Sequence, residues 1–147
     1  MMNKKEFSKR ENGQSLVELA LIVTFMLILL AGVVDLGRMM FEYLSMRDAA
    51  QEGAGYGAIF PDYCAETIER VKDNLPDSNY EVNVTVDGSL CTGTYVQGLG
   101  CAGEPLIVEV KHKFAVTMPL LGVIVDPEGD GVPMRVLIED RIVRPEC

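Results

Sequence analysis

Residues 16–34 read LVELALIVTFMLILLAGVV, an apolar run interrupted only by Glu18 and Thr24. As a helix, this run would form a rod about 28 Å long at about 1.5 Å per residue. That length is close to the roughly 30 Å hydrocarbon thickness of a bilayer. The run therefore predicts a single membrane-spanning helix near the N-terminus.

The charges on the two sides of this run differ in sign. Residues 1–13 carry four basic and two acidic side chains, a net charge of +2, so that the total of −9 leaves −11 for the remainder. Basic residues that flank a membrane helix tend to stay in the cytoplasm. We therefore predict a single-pass protein of the cytoplasmic (inner) membrane with its N-terminus inside and its C-terminal domain outside. The acidic remainder argues against nucleic-acid binding, which needs clustered Lys and Arg.

A cleaved secretory signal is the alternative interpretation of such an N-terminus. Against it, the run is longer than the roughly 7–15 residues of a signal core, and no small-x-small cleavage site follows. No proline occurs between the run and Pro61, and apolar or small residues recur there every three or four positions. We expect one helix from about Ser15 to Phe60, apolar all round in its first half and amphipathic in its second.

The second half of this helix contains two rows of small residues with a spacing of four. They are Ala49, Gly53 and Gly57, and Ala50, Ala54 and Ala58. Such rows let another element approach closely. The protein's own sheet is the favoured neighbour, and a second subunit is the alternative. The glycines also allow the helix to fray near its end.

Glu18 lies two residues inside the apolar run, where a carboxylate either sits at the headgroup level or finds a partner. Gly13 ends the basic leader, and a cut after it would create a new amino group at Gln14, four residues before Glu18. In a bundle of such helices, the amine of one subunit could pair with Glu18 of its neighbour. The pair would set the axial register, because an unpaired charge is strongly penalised in a low dielectric.

The sequence around the apolar run resembles the TadE-like proteins of tight-adherence (Tad, type IVc-like) pilus systems. It follows their pattern of a glycine, LVE, a long apolar run, (V/I)-(D/E)-x-G-R and A-A-x-E-G-A-x-Y. The matching residues are Gly13, Leu16, Val17, Glu18, Val34, Asp35, Gly37, Arg38, Ala49, Ala50, Glu52, Gly53, Ala54 and Tyr56. Thr24 departs from the pattern, because many members have a proline there, and no proline kink is expected here.

The resemblance implies a prepilin-like subunit, a minor pilin or pseudopilin of a pilus that serves adhesion or secretion. A prepilin peptidase would cut between Gly13 and Gln14, and Glu18 would set the register between subunits. The implied partners are membrane lipid, other pilin or pseudopilin subunits, the peptidase and the pilus assembly platform, and no cofactor is implied. Two alternatives stay open: a permanently anchored accessory protein of pilus assembly, and an exported domain that binds a surface ligand.

The expected organisation is a leader at residues 1–13, a long helix at 14–60 and an exported α+β domain at 61–147. Pro61 ends the long helix or opens a short amphipathic one. Three later segments alternate apolar and polar residues and predict strands of an antiparallel sheet with three or four strands, packed on the long helix in a pilin-like arrangement. The apolar positions are Ala65, Ile68, Val71 and Leu75 in the short helix, and Tyr80, Val82, Val84, Val86, Leu106, Val108, Val110, Phe114, Val116, Met118, Val136, Ile138 and Ile142 in the strands.

All four cysteines follow the membrane run, and an even number in an exported domain predicts two disulfides. We expect Cys91–Cys101 to close the glycine-rich loop between the first two strands. Cys64–Cys147 would then tie the C-terminus to the helix junction. Four cysteines permit three pairings, and the sequence does not choose among them.

The rest of the domain offers no catalytic or metal-binding motif in its sequence, so we expect neither an enzyme nor a metal site. Asp126, Glu128 and Asp130 resemble the opening of a calcium loop, yet Leu137 stands where a bidentate glutamate is required. An ordinary acidic turn is favoured there. His112, the one histidine, is predicted to be packed or on the surface and is assigned no chemistry.

Overall fold

The computed structural model of the chain describes residues 5–92, 98, 100–118, 122–123 and 125–143, with side chains from residue 13 onwards. Helix α1 spans Lys5–Ile59 and helix α2 spans Cys64–Asp73. Four strands follow: β1 Glu81–Val86, β2 Ser89–Leu90, β3 Pro105–Phe114 and β4 Val132–Arg141. They form one antiparallel sheet in the order β2-β1-β3-β4. The predicted α+β class, with a long helix, a short helix and a sheet of four antiparallel strands, is confirmed.

Helix α1 begins earlier than the sequence predicted. It starts at Lys5, inside the basic leader, instead of near Ser15, and it ends at Ile59. Pro61 follows in a turn, since proline has no backbone N–H to continue the helix. The helix runs on through Thr24, whose hydroxyl donates to the carbonyl oxygen of Ala20 at 2.8 Å.

The two halves of α1 lie in different surroundings. Residues 16–34 are exposed except for half-buried Ala31 and Gly32. Of the helices that the structure describes, α1 is the one long and apolar enough to cross a membrane. From Met46 onwards its inner face is the core of the domain, where Met46, Ala49 and Ala50 are fully buried. One helix thus projects from the domain at one end and supports it at the other.

The two rows of small residues pack against the protein's own domain. A Cβ at Gly53 would overlap the Cγ2 atom of Val71 in α2, and a Cβ at Gly57 would lie 2.7 Å from Leu106 Cδ1 in β3. All six positions of the two rows are buried, and the helix stays intact to Ile59. The sheet is the neighbour at Gly57, as favoured, whereas at Gly53 the neighbour is α2. Both rows are thus covered by the protein's own domain.

The predicted alternation of apolar and polar residues in the strands matches the alternation of buried and more exposed residues in the structure. In β1 the even-numbered valines are buried, and in β3 Leu106, Val108, Val110 and Phe114 are at most 1% exposed. β3 ends at Phe114, so that Val116 and Met118 lie beyond the strand in which they were predicted. Ile142 likewise follows the end of β4 but is buried.

The short strand β2 was not predicted. It forms a hairpin with β1 across Asp87 and Gly88, whose φ angles are 45° and 74°. Positive φ at both central residues is the type I′ geometry that Asp-Gly favours. The hairpin turns the chain back along β1 and brings Cys91 towards α2.

The disulfide pairing differs from the prediction. Cys64, the first residue of α2, is bonded to Cys91, just after β2, with the two Cα atoms 5.6 Å apart. Because Cys64 and Cys91 bind each other, the expected pairs Cys91–Cys101 and Cys64–Cys147 are both wrong. Cys101 is also disulfide-bonded, and Cys147 lies outside the described residues.

Peptide mapping under non-reducing conditions tests this pairing directly. A digest of the full chain should contain a fragment that joins Cys64 to Cys91 and disappears on reduction, because the two sulfur atoms already adjoin in the fold. A fragment that joins Cys91 to Cys101 would contradict the structure.

Two glycine substitutions test the close packing of α1, at positions that are two residues apart and therefore on opposite faces of the helix. Gly53→Ala should lower the free energy of unfolding by about 1–3 kcal/mol, because the added methyl overlaps buried Val71. Gly55→Ala is the matched control: nothing lies within 4 Å of its Cβ position, and the better helix propensity should stabilise by up to about 1 kcal/mol. Urea unfolding of the full chain in detergent micelles, followed by the near-ultraviolet circular dichroism of the tyrosines, measures both. Equal stabilities of the two variants would contradict the packing.

Candidate functional site

Asp35 is the first ionisable residue after the apolar run, and it is buried, with 7% of its surface exposed. Its Oδ2 atom accepts the backbone N–H of Met118 at 2.8 Å, across 83 positions of sequence. Met118 lies four residues beyond the end of β3. The bond therefore joins the end of the apolar run to the segment that leaves the sheet.

Arg38, one helix turn later, contacts the same segment through two other residues. Its guanidinium donates to the hydroxyl of Thr117 and lies 5.5 Å from the centre of the Phe114 ring. Its Nη1 atom is also 3.7 Å from Asp35 Oδ1, but with half of the arginine side chain exposed this ion pair adds little. We call Asp35 and Arg38, with the residues 114–118 that they hold, the boundary clamp.

Gly37 lies between the two clamp residues. It is exposed and nothing lies within 4 Å of the position that a Cβ would take. No contact among the described residues explains why a glycine is needed there.

The second half of the motif holds α2 on α1. Gly53 permits the close approach of α2, and Ala54 is buried in the core. Tyr56 packs its ring under the guanidinium of Arg70 in α2, 4.1 Å from the ring centre. Burial and then a hydrogen bond with Glu66 raise the pKa of the Tyr56 hydroxyl. Glu52 is exposed, and no contact among the described residues explains why a glutamate is needed there.

The predicted processing and register residues lie at the free end of α1. Gly13, Gln14 and Glu18 are exposed, as are Leu16 and Val17 between them. The side-chain amide of Gln14 donates to Glu18 Oε1 at 3.2 Å. Glu18 is about 26 Å from Asp35 along the helix axis at about 1.5 Å per residue. The structure therefore separates the predicted residues into a free end, the boundary clamp and the α2 contact.

Sequence reasoning missed a polar cluster just beyond the boundary clamp. His112 in β3 places Nε2 3.4 Å from Glu42 Oε2 of α1, and its ring stacks on Tyr80 with the ring centres 4.2 Å apart. Burial, and then the charge of Glu42, raises the pKa of Tyr80. His112 occupies an even-numbered position of β3, like the buried residues of this strand, and this position is the sequence signal that could have indicated a partner on α1. His112 is thus a packed histidine, one of the two outcomes expected.

The acidic segment before β4 is a turn held by the side chain of Asp126. Asp126 Oδ1 accepts the N–H of Asp130 at 3.0 Å, and Oδ2 accepts the N–H of Gly131 at 2.7 Å. These bonds show that the segment forms a turn, as expected. Over the described part of the chain, no three His, Cys, Asp or Glu side chains are grouped to hold a metal ion.

Fold and site together define a protein with one N-terminal apolar helix that continues, without a linker, into an α+β domain docked on the same helix. The model of the family described as TadE-like protein matches residues 13–55. The match begins at Gly13 and includes Asp35 and Arg38 of the boundary clamp, but not residues 114–118, and it ends one residue before Tyr56. It confirms the resemblance predicted from the sequence and indicates a protein related to Tad pili. The comparisons with curated proteins and with solved structures gave no match.

Asp35→Ala tests the boundary clamp. The substitution leaves the N–H of Met118 without its acceptor, which should cost about 1–3 kcal/mol of local stability and speed amide exchange at Met118 by roughly five- to a hundredfold. Hydrogen exchange of residues 114–118, measured on the full chain in lipid or detergent, reads this out. Asp48→Ala, at an exposed position on the same helix, is the control and should leave that exchange unchanged. Equal exchange rates in the two variants would show that Asp35 does not hold the segment.

Proposed function

We propose that this chain is a prepilin-like structural subunit of a Tad-type pilus, a minor pilin or pseudopilin that serves adhesion or secretion. It is cut after Gly13 and assembles through its hydrophobic helix. The observation that carries the proposal is the exposure of the apolar run: none of its most apolar 18-residue window is buried in the folded chain. A surface of this kind needs a partner, which is lipid before assembly and neighbouring helices afterwards.

The boundary clamp supports this function mechanically. Because Asp35 and Arg38 tie the domain to α1 immediately beyond the apolar run, the helix and the domain move together. When such helices pack side by side, the axial position of each helix then also sets the axial position of its domain. A flexible linker at this point would uncouple the position of the domain from that of the helix.

The free end of α1 suits both a cut and a register contact. Gly13 is exposed, and outside the helix's own backbone nothing lies within 4 Å of its Cβ position. A cut there leaves an amino group on Gln14 at the new helix N-terminus, where a carboxylate is favourable. Among the residues whose side chains the structure describes, Gln14 of the same chain donates one hydrogen bond to Glu18. Its carboxylate has further acceptor capacity for the amine of a neighbouring subunit.

The proposed surroundings follow from the same features. The basic leader stays in the cytoplasm, the apolar run spans the inner membrane, and the domain lies outside. The prepilin peptidase, the assembly platform and other pilins or pseudopilins are the proposed protein partners. Within this scheme, residues 1–13 are the removable leader, 14–60 the assembly helix and 61–147 the exported domain.

The test is the mature N-terminus of the chain purified from the envelope and from sheared filaments. Mass spectrometry should find a chain that begins at Gln14 in both fractions. Glu18→Gln should be processed normally but be depleted in filaments by about tenfold or more, which corresponds to roughly 1.4 kcal/mol of lost pairing. Glu69→Gln, at an exposed position on α2, is the matched control and should enter filaments like the parent chain.

Three outcomes separate this proposal from its alternatives. An intact leader, or a cut near residue 35, contradicts the processing step. A chain that is processed but never found in filaments is a permanently anchored accessory protein. A chain whose domain is needed for surface attachment, but not for filament formation, is a ligand-binding subunit.

A further inference from the structure

The connection from β3 to β4 meets α1 along the apolar run itself. Beyond the bond between Met118 and Asp35, an apolar cleft of about 440 Å³ opens between the connection and the helix. Its lining residues are Leu27, Leu30, Ala31, Val34, Thr117 and Met118, with Asp35 at one end.

The cleft extends from the end of the run towards the bilayer centre. Leu27 precedes Asp35 by eight positions, which is about 12 Å along the helix axis. Met118 is fixed at the level of Asp35 by its N–H. The segment around Met118 therefore lies beside helix residues that are inside the hydrocarbon region when residues 16–34 span a bilayer.

The chemistry of the connection suits the same depth. Residues 116–125 read VTMPLLGVIV and contain no charged side chain. Val123 is 74% exposed and Val125 is 54% exposed. Gly122 N–H donates to Met118 C=O at 2.9 Å and Asp126 N–H donates to Gly122 C=O at 2.8 Å. Backbone groups satisfied in this way tolerate an apolar environment.

The polarity changes abruptly at the end of this stretch. Asp126 opens the acidic turn that includes Glu128 and Asp130, and that turn is mostly exposed. In a segment that enters a membrane surface and returns to water, apolar side chains are followed by charged ones, as they are here.

We propose that the β3–β4 connection is a second, shallow membrane contact of this protein. Met118, Val123 and Val125 lie in the boundary between headgroups and acyl chains, in the leaflet on the domain's side. Lipid is the occupant because the cleft is continuous with residues 27–34, the helix surface that lipid covers in the membrane. The contact fixes how the domain is rotated about α1 relative to the membrane plane. It depends on the membrane span and not on processing or assembly into a pilus.

The absence of tryptophan from the chain gives a direct probe. Val123→Trp, at a strongly exposed position, introduces a single tryptophan, and Leu90→Trp is the matched control on β2 at the far end of the sheet, where Leu90 is 57% exposed. Each full chain is placed as one copy per lipid nanodisc of phosphatidylcholine, with and without bromine on the acyl chains. The emission of Val123→Trp should be shifted to the blue relative to the control. It should also lose most of its intensity in the brominated lipid, whereas Leu90→Trp should not change.

Each contrary outcome overturns the proposal. Water-like emission of Val123→Trp that brominated lipid does not quench places this connection in solvent. A blue shift that appears only in discs with several copies assigns the surface to a second subunit. Val125→Trp repeats the measurement at an independent exposed position, so that the result does not depend on one substitution. Because the discs contain a single unassembled chain, failure here leaves the pilus proposal standing, and failure of the pilus proposal leaves this one standing.

Discussion

The packing of the domain on α1 from Met46 onwards fixes where the domain lies on the helix, and the hydrogen bond from the Met118 N–H to Asp35 extends this hold to the end of the apolar run. The bond lies where α1 passes from its exposed apolar half to its packed half. A buried carboxylate close to lipid is costly without a partner and strong with one, because the local dielectric is low. Arg38 adds a second hold on the same segment through Thr117 and Phe114. The domain therefore begins where the apolar run ends.

Above this boundary, the fold depends on how closely other elements approach α1. Gly53 and Gly57 remove the side chains that would keep α2 and β3 at a distance. The bond between Cys64 and Cys91 then joins α2 to the β1–β2 hairpin, and Val143 N–H donates to Ala58 C=O at 2.8 Å near the end of α1. The inner face of the packed half of α1 is thus covered by its own chain, and the apolar half remains a surface available to lipid or to neighbouring subunits. The division of one helix between two environments is what a subunit that first sits in a membrane and then joins a bundle requires.

The sequence predicted those parts of the fold that are encoded by short-range periodicity. The helical stripe beyond the apolar run and the alternating apolar residues of β1 and β3 each show their period within one segment. The long helix and these two strands were found as predicted. The disulfides were predicted wrongly because Cys91 and Cys101 bracket one glycine-rich loop, and their closeness in sequence favoured a bond between them. In the structure, the Asp87-Gly88 turn sends Cys91 back beside α2, so that its partner is Cys64, 27 positions away. The partner of Asp35 lies 83 positions away, and alternation within the segment of Met118 does not indicate which residue its backbone contacts. The pairing of Glu42 with His112 likewise depends on the docking of β3 on α1. Resemblance identified Asp35 and Arg38 as motif residues, but only the fold shows what they hold.

The central claim is that the apolar run and the domain form one rigid unit, joined at the boundary clamp. The most direct measurement is the distance distribution between two spin labels, carried as non-natural amino acids so that the cysteines stay in their disulfides. One label replaces Phe25 in the apolar run and the other replaces Leu137 on β4, both at exposed positions. In lipid nanodiscs the account predicts a single narrow distribution. A broad or multiple distribution would show that the domain moves freely relative to the helix and would contradict it.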